Sequence, residues 1–430
     1  MKKIALIIIC LGVNLGFAQQ TPAPKQAQSI LLVGATAHIG NGDVIENSAI
    51  GFTEGKIVEV STADLVKGNY DLKIDLKGKE VYPGFIAANS TVGMVEIDAI
   101  RPTNDLNEIG NFLPHSRTAI AYNAESKVVE SLRPNGILTA QIVPRRGRIA
   151  GSSTVVQLDA WNWEDAALKT DEGLHLNWPR TYTYGRRAKG QDPIIFDEKN
   201  YAKQTREIEA FFTAAKSYNN GDAALKNLPY EAMSGVFLGT QKLYLHAKEK
   251  RQIIDGIHFL KKHGIQDIVL VGGDEAHLIT DFLNEENIPV ILSRPHRLPN
   301  TEDQDVKLPF KLAAKLVNAG ILVTVDVSGR MERMNTRNLP FYAGSFAAYG
   351  VPKEKAVEMI TLNAAKILGV ENQLGSLEVG KDATLFVSEG DALDMRTNQL
   401  SRAYIQGREI NLATHQTELW NRYMEKYSRK

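Results

Sequence analysis

Residues 267–273 read DIVLVGG, a nearly continuous apolar run that ends in two glycines. Such a run is typical of a strand buried on both faces of a parallel sheet. Four more short apolar runs share this character, and the sequence predicts a strand at each: GILTAQIV (136–143), KLYLHA (242–247), IPVILS (288–293) and ILVTVDV (321–327). Amphipathic stretches lie between or beside these runs and predict helices at residues 201–218, 248–263, 276–286 and 311–319.

The alternation of strands with helices favours parallel βα units. The block that contains them, residues 81–370, has about the length of a (β/α)8 barrel, typically roughly 250 residues. A doubly wound open sheet is the alternative, but no G-x-G-x-x-G motif follows the early strands, so the dinucleotide-binding fingerprint is absent. We therefore predict an α/β fold with a (β/α)8 TIM-like barrel over residues 81–370.

Both ends of the chain consist of shorter β-like runs separated by glycine- and asparagine-containing turns, which are typical of antiparallel strands. The two segments are residues 30–80 and residues 371–412. We predict that they pair into one small composite β-sandwich domain. Residues 413–430 predict a C-terminal helix, and the Trp- and Tyr-rich segment 159–197 predicts a long loop after a barrel strand, whose aromatic rings either contact a ligand or simply pack.

The first eighteen residues resemble a secretory signal peptide. Lys2 and Lys3 precede an apolar run, Ile4–Leu11, and small residues follow up to Ala18. The run is too short for a membrane-spanning helix, which needs roughly 20 apolar residues. We predict cleavage after Ala18, a flexible leader over residues 19–29, no membrane span, and export to the periplasm or the extracellular space.

The composition excludes several classes of protein. Lys and Arg total 50 and Asp and Glu total 50, so the net charge is zero and no basic surface for nucleic acid is expected. The single cysteine, Cys10, permits neither an internal disulfide nor a thiolate metal cluster. A hydrophobic content of 43% and a charged content of 23% are ordinary for a globular protein.

A series of motifs runs in order through nearly the whole mature chain: VYPGFI (81–86), VEIDAIRPTNDLNEIG (95–110), RPNGILTA (133–140), GRIAGSSTVVQL (147–158), LYLHA (243–247), RNLPFYAG (337–344), ITLNAAKILGV (360–370) and GSLEVGKDA (375–383). Together they resemble the amidohydrolase superfamily and, within it, the imidazolonepropionase-like amidohydrolases. The resemblance implies a barrel with a composite β domain that hydrolyses non-peptide carbon–nitrogen bonds in cyclic amides or related small molecules. It also implies one or two divalent metal ions at the C-terminal ends of the barrel strands.

The family's metal ligands are an H-x-H after strand 1, one histidine each on strands 5 and 6, and an aspartate after strand 8. His246 in LYLHA resembles the strand 5 ligand. Where the family has its H-x-H, this chain reads PGFIAANST, so Asn89 and Thr91 stand at the two histidine positions. After strand 8 the aspartate position falls on Ser328, but Asp326 has the same facing and is a shifted candidate.

A catalytic zinc ion takes about three protein ligands, and this chain supplies few of them. On the predicted strand 6, Gly272 and Gly273 stand where a histidine is expected, and His277 falls in the following helix. The oxygen donors of Asn and Thr suit calcium or magnesium better than zinc. The sequence therefore predicts an incomplete metal site, with His246 and Asp326 as the remaining ligands and with no cofactor or at most a single divalent metal such as zinc.

Other polar residues are weaker candidates, and no catalytic residue is predicted. Glu96 is a candidate for binding substrate or for acid–base work at a strand end. Arg146 is a second substrate-binding candidate, because it lies with Arg145 and Arg148 in a basic cluster that either binds an anionic group or is a solvated loop. Three histidines lie in predicted loops, and we do not expect them to form a site: His115, His175 and His296.

Two functions remain. The first is a degenerate amidohydrolase, catalytically weak or inactive, that binds a small molecule or a partner chain such as an intact amidohydrolase homologue, with a homo-oligomer also open. The second is an active hydrolase of cyclic amides or related substrates with a non-standard or single-metal site built from His246, Asp326 and Asn89. Full-length resemblance together with Asn89 and Thr91 at the first-strand histidine positions favours the first.

Overall fold

The computed structural model describes residues 21–184, 195–221, 225–300, 304–329 and 331–428. The predicted signal peptide and Cys10 lie outside these ranges. The strands before and within the barrel are β1 (Ile30–Val33), β2 (Thr36–His38), β3 (Val44–Ile45), β4 (Ser48–Thr53), β5 (Lys56–Thr62), β6 (Leu72–Asp75), β7 (Glu80–Pro83), β8 (Phe85–Ser90), β9 (Ile137–Ile142), β10 (Ile149–Gln157) and β11 (Ala167–Asn177). The later strands are β12 (Tyr182–Tyr184), β13 (Ile195–Asp197), β14 (Lys242–Ala247), β15 (Ile268–Gly272), β16 (Val290–Ser293), β17 (Val323–Asp326), β18 (Leu385–Ser388), β19 (Leu400–Ile405) and β20 (Arg408–Glu409).

Eight strands close into a barrel in the order β10-β11-β14-β15-β16-β17-β8-β9. The five strands predicted from apolar runs are all present, as β9, β14, β15, β16 and β17. In chain order β14 is the fifth barrel strand and β17 the eighth, so His246 and Asp326 lie on the strands that the resemblance assigned to them. The predicted α/β barrel is confirmed.

The barrel departs from an all-parallel sheet at one strand, because β10 runs antiparallel to both β9 and β11. Only residues 143–148 separate β9 from β10. Such a connection suffices for antiparallel neighbours, whereas a parallel crossover needs about a dozen residues or more. The remaining neighbouring pairs of the barrel are parallel.

The prediction of a loop over residues 159–197 is wrong for its central part, because β11 is a barrel strand that pairs with β10 and β14. Its sequence, ALKTDEGLHLN, has no continuous apolar run. Polar side chains such as Glu172 and His175 face the barrel interior and are buried there. Their hydrogen-bond partners come from other strands, and sequence reasoning on β11 alone did not reveal them.

The segments at the two ends of the chain form two sheets. One is four-stranded, in the order β5-β4-β1-β6, and the other is six-stranded, in the order β20-β19-β18-β7-β2-β3. The six-stranded sheet therefore takes strands from both ends of the chain. A hydrophobic cluster joins side chains of both sheets, among them Leu32 and Ile50 from the first and Val81 and Leu385 from the second. The predicted domain boundaries stay a prediction.

The α-helices are α1 (Lys127–Glu130), α2 (Trp163–Ala166), α3 (Tyr201–Asn219), α4 (Leu228–Glu231), α5 (Ser234–Leu238), α6 (Lys250–Lys262), α7 (Thr280–Glu285), α8 (Leu308–Asn318), α9 (Glu332–Asn335), α10 (Leu339–Ala348), α11 (Lys353–Met359), α12 (Leu362–Leu368) and α13 (His415–Ser428). The predicted helices correspond to α3, α6, α7, α8 and α13, although 276–286 divides into a 3-10 turn, Ala276–Leu278, and α7.

Helix α12 closes the amino-terminal end of the barrel. Ala364 and Leu368 on this helix share a hydrophobic cluster with Ile86 and Val269, which lie near the starts of β8 and β15. Since this end is closed by apolar side chains, the opposite end, where the parallel strands finish, is the place for polar chemistry. In the described part of the chain, no helix is both long enough and apolar enough to cross a bilayer.

Candidate functional site

A cavity of about 550 Å³ lies at the carboxyl ends of the barrel strands. Its lining combines aromatic, amide and charged groups: Asn89, Asn177, Trp178, Arg180, Tyr182, His246, Lys248, Glu249, Gln252, Asp274, Asn300, Asp326 and Ser328, with Ala247, Val271 and Gly272. Three of the sequence-predicted site residues, Asn89, His246 and Asp326, meet here although they lie on different strands. Closed barrels usually place their ligand sites at this end.

Asn89 lies at a register irregularity near the end of β8 and has a positive φ of 52°. Asparagine tolerates this left-handed conformation better than most residues. Its side-chain nitrogen donates to Asp326 Oδ1 at 2.9 Å, and its backbone N–H donates to Gln141 Oε1 at 2.9 Å. The irregular backbone thus directs the Asn89 side chain across the barrel mouth towards β17.

The Asp326 carboxyl is buried and receives hydrogen bonds from neighbouring groups. Besides Asn89, both the backbone N–H and the hydroxyl of Ser328 donate to it, at 2.7 and 2.8 Å. Burial raises the pKa of Asp326, while these hydrogen bonds and the positive charge of Arg145 act in the opposite direction. Ser328, the position expected for the family's aspartate, here supports Asp326.

Arg145 contacts Asn89 directly and is connected to Thr91, at the other first-strand histidine position, through Glu332. Its guanidinium donates to Asn89 Oδ1 at 2.6 Å and to the Asn89 carbonyl at 2.7 Å. The same group donates to Glu332 Oε1 at 2.7 Å, and the Thr91 hydroxyl also donates to that carboxylate. The sequence indicated a basic cluster, but the ion pair with Glu332 spans 187 residues and had no local signal.

His246 faces a second histidine, His175, which sequence reasoning placed in a loop. His175 Nδ1 and His246 Nε2 lie 2.8 Å apart, and His175 Nε2 lies 2.8 Å from Ser153 Oγ. Burial lowers the pKa of His246 to about 3, with a further contribution from the positive charges of Arg145 and Lys248. Burial likewise holds the pKa of His175 well below its usual value, so both imidazoles are neutral at neutral pH.

Below the histidines lies a buried carboxyl, Glu172 on β11. It accepts from Ser153 Oγ at 2.5 Å, from Gln141 Nε2 at 2.5 Å and from the Tyr244 hydroxyl at 2.8 Å. Burial raises the pKa of Glu172, and these hydrogen bonds offset part of that rise. A continuous hydrogen-bonded path therefore joins Glu172 through Ser153 and His175 to His246 at the cavity.

The remaining predicted residues lie outside the cavity. Glu96 is exposed and accepts a hydrogen bond from Asn123 at 3.1 Å, and Arg146 is exposed beside the inward-facing Arg145. Their predicted role in substrate binding stays a prediction. His115 is exposed, and His296 contacts Ser345 at 2.8 Å.

Within residues 21–428, outside the gaps named above, no group of three or more His, Cys, Asp or Glu side chains is placed to hold a metal ion. His246 and Asp326 line the same cavity, as do the carboxylates of Glu249 and Asp274. These two carboxylates are engaged elsewhere, since Glu249 accepts a hydrogen bond from the Thr181 N–H at 3.2 Å and Asp274 pairs with Arg297 at 3.1 Å.

Comparison with known sequences gives a family. A family model described as the Amidohydrolase family matches residues 237–415. The chain is 23% identical over 365 residues to the 5'-deoxyadenosine deaminase of Methanobrevibacter smithii, and the aligned region covers 79% of each chain. It is 21% identical over 387 residues to the 5-methylthioadenosine/S-adenosylhomocysteine deaminase of Acetivibrio thermocellus, which covers 81% of this chain and 82% of the other.

Comparison with solved structures gives the same fold. An amidohydrolase from Thermotoga maritima MSB8 superimposes with a TM-score of 0.74 at 23% identity, over 89% of this chain and 99% of the other. An adenosine deaminase from Xanthomonas campestris with bound zinc gives a TM-score of 0.53 at 12% identity, over 94% and 99%. The match of residues 237–415 to the family model and the shared fold confirm the predicted resemblance to the amidohydrolase superfamily. The matched sequence relatives are named as deaminases, so the narrower imidazolonepropionase-like resemblance stays a prediction.

Proposed function

We propose that this protein is a degenerate amidohydrolase that binds a small molecule at its barrel mouth and has weak or no carbon–nitrogen hydrolase activity. The observation that carries the proposal is the Arg145–Glu332 ion pair, which lies against Asn89 and Thr91. A guanidinium cannot donate a lone pair to a metal, and its positive charge opposes a second cation beside it.

The donor set of the barrel mouth does not fit a catalytic zinc ion. Such an ion takes about three protein ligands, typically imidazole, thiolate or carboxylate groups. Here the Asn89 oxygen is already bound by Arg145, and the Asp326 carboxylate is bound by Asn89 and Ser328. The His246 nitrogen that faces His175 is also engaged, so no step of the proposed function passes through a metal.

The lining of the cavity supports a heteroaromatic ligand. Trp178 and Tyr182 supply rings, and the amides of Asn177 and Asn300 supply donors and acceptors, which together suit a flat polar ring. The sequence relatives are named for acting on 5'-deoxyadenosine, 5-methylthioadenosine and S-adenosylhomocysteine. Adenine nucleosides are therefore the ligand class that we propose.

Calorimetric titration of chelator-treated protein with 5'-deoxyadenosine, together with an assay for released ammonia, tests this function. We expect binding with little or no ammonia release. Asn300→Ala in the lining should weaken binding about fivefold, since one hydrogen bond contributes roughly 1 kcal/mol. The matched control, Asn200→Ala, lies exposed outside the cavity and should bind as the parent does. Absence of binding, or rapid release of ammonia, would contradict the proposal.

An active hydrolase with a non-standard or single-metal site is the second candidate. The observation that favours it is the presence of His246 and Asp326 on the same cavity. This candidate predicts that adding zinc or manganese ions produces ammonia release, and that His246→Ala abolishes it. If the metal-supplemented protein releases no ammonia above background, the second candidate fails.

We also propose pairing with an intact amidohydrolase homologue, because loss of activity would leave the fold and its surface as the retained features. Co-expression with such a homologue, followed by size-exclusion chromatography, is expected to yield a joint species. Separate elution of both chains at micromolar concentration would contradict the pairing, whereas elution of this chain alone as a dimer would favour the homo-oligomer.

Two further proposals concern organisation and location. We infer that the sheets at the two chain ends, residues 30–80 and 371–412, form one composite β-sandwich, supported by their shared hydrophobic cluster. We infer export to the periplasm or beyond from the charged and apolar pattern of residues 1–18. Mass spectrometry of the mature protein should find an N-terminus at Gln19, and a retained Met1 in exported protein would contradict the cleavage.

A further inference from the structure

We propose that Arg145 is a built-in cation of the barrel mouth: its guanidinium organises the loops after β8, β9 and β17 without a divalent ion. Arg145 follows β9, Asn89 belongs to the end of β8, and Glu332 follows β17. The guanidinium contacts Asn89 through two oxygens and contacts Glu332 at 2.7 Å. One side chain thus ties three neighbouring segments of the barrel together.

The contacts of Arg145 are linked to the rest of the site. The Asn89 side chain links Arg145 to Asp326: its amide oxygen accepts from Arg145, and its amide nitrogen donates to Asp326 at 2.9 Å. Thr91 donates to the same Glu332 oxygen that pairs with Arg145. Asn89 and Glu332 accept directly from the guanidinium, and through them it is linked to Asp326 and Thr91.

The positive charge of Arg145 acts on the side chains that would be the ligands of a metal ion at the barrel mouth. Its positive charge acts on Asp326, His246 and His175. The side chains of Arg145 and Glu332 are only 19% and 13% exposed, so solvent screens the pair weakly. A fixed cation in this place stabilises the carboxylates and disfavours a second positive charge.

The geometry calls for arginine, and lysine is a poor substitute. The planar guanidinium offers donors in a fixed fork, and here it reaches Asn89 Oδ1, the Asn89 carbonyl and Glu332 at the same time. An ammonium is a compact point charge on a flexible stem and cannot hold the three acceptors in one plane. Removing either member of a buried pair leaves the other charge uncompensated, which is strongly destabilising.

Thermal unfolding with and without chelator tests the built-in cation, using Arg145→Met, Arg145→Lys and Glu332→Gln. We expect the midpoint of the parent to be unchanged by chelator or by excess zinc. Arg145→Met should lower the midpoint by several degrees, and Arg145→Lys should recover only part of this loss. The loss in the double variant, Arg145→Met with Glu332→Gln, should be smaller than the sum of the losses in the two single variants. The control, Arg146→Met, removes the exposed neighbouring charge and should leave the midpoint unchanged.

The proposal is overturned if chelator lowers the midpoint of the parent, or if Arg145→Met is as stable as Arg146→Met. If Arg145→Met fails to fold, Arg145→Lys and Glu332→Gln test the proposal instead, because both keep the approximate side-chain volume. Unchanged midpoints for both variants would refute the proposal. The inference relies on the proposed function only for the position of the site. Because unfolding is measured without ligand, its failure is distinguishable from a failure of nucleoside binding.

Discussion

His175 Nδ1 lies 2.8 Å from His246 Nε2, on the neighbouring barrel strands β11 and β14. Both imidazoles are neutral, so one nitrogen of the pair donates and the other accepts. Ser153 donates its hydroxyl proton to Glu172 and therefore accepts from His175 Nε2. It follows that His175 Nδ1 is the acceptor and that His246 carries its proton on Nε2.

This order of donors predicts the tautomers of two residues. Long-range proton–nitrogen NMR spectra at neutral pH are expected to show both His175 and His246 protonated on Nε2. Ser153→Ala removes the acceptor of His175 and should change the His175 signals first. A His246 protonated on Nδ1 would contradict the hydrogen-bonded path.

The buried pair also predicts a loss of stability when His175 is replaced. His175→Phe keeps a ring that can stack on Tyr244, but it removes the partner of His246 Nε2 and one of the hydrogen bonds of Ser153. We expect the free energy of unfolding in urea to fall by about 1–3 kcal/mol, the penalty of unsatisfied buried polar groups. His115→Phe changes an exposed histidine and is the control. Equal losses of stability in both variants would show that the buried contacts of His175 do not stabilise the fold.

Asp159 predicts a second stability effect, at the contact between the barrel and the chain ends. Its carboxylate pairs with Arg133 at 3.2 Å and with Arg408 at 2.9 Å, and its side chain is only 2% exposed. Asp159→Ala removes the carboxylate that two largely buried cations share and should cost about 3–5 kcal/mol in the free energy of unfolding. Glu164→Ala, an exposed acidic control, should cost little. A similar small cost for Asp159→Ala would be inconsistent with this role.

His38 predicts a dependence of stability on pH. Burial lowers the pKa of His38, but its hydrogen bonds to Glu354 and Glu80, at 3.0 and 3.2 Å, outweigh burial, and the net pKa is raised above 6.5. The folded state therefore binds the proton more tightly than the unfolded state. The resulting stabilisation is fully present below about pH 6.5 and is lost as the pH rises through the folded pKa.

Urea unfolding at about pH 6 and about pH 8.5 measures this effect. The parent protein should lose more stability between the two values than His38→Gln does. The exposed His115→Gln should behave like the parent. A parallel pH profile for the parent and His38→Gln would show that the Glu80 and Glu354 contacts do not favour the protonated imidazole.

The apolar strands of the barrel could be predicted from sequence because they consist mainly of apolar residues, which indicate burial without reference to any other strand. DIVLVGG became β15, and KLYLHA became β14 with His246 on the fifth barrel strand. The strand β11 could not be predicted in this way. Glu172 and His175 are buried on it only because Ser153, Gln141 and His246 on other strands satisfy them.

The candidate site was predicted in part for the same reason. The substitutions at Asn89 and Thr91 were evident from the motif, and Asp326 followed from strand alternation. The direction of Arg145 did not follow, because the partner that draws it inward, Glu332, lies 187 residues away. Neighbouring arginines differ in this structure: Arg146 is exposed, whereas Arg148 donates to the Asn177 carbonyl at 2.7 Å.

The metal content of the purified, untagged protein decides whether Arg145 or a metal ion is the cation of the barrel mouth. Elemental analysis after growth and purification in zinc-containing buffer should find well below one zinc per chain, with no change on His246→Ala. The opposite result would be about one tightly held zinc per chain that is lost on His246→Ala. It would contradict the assignment of Arg145 as the cation of the barrel mouth, because it would show a coordinated metal ion there.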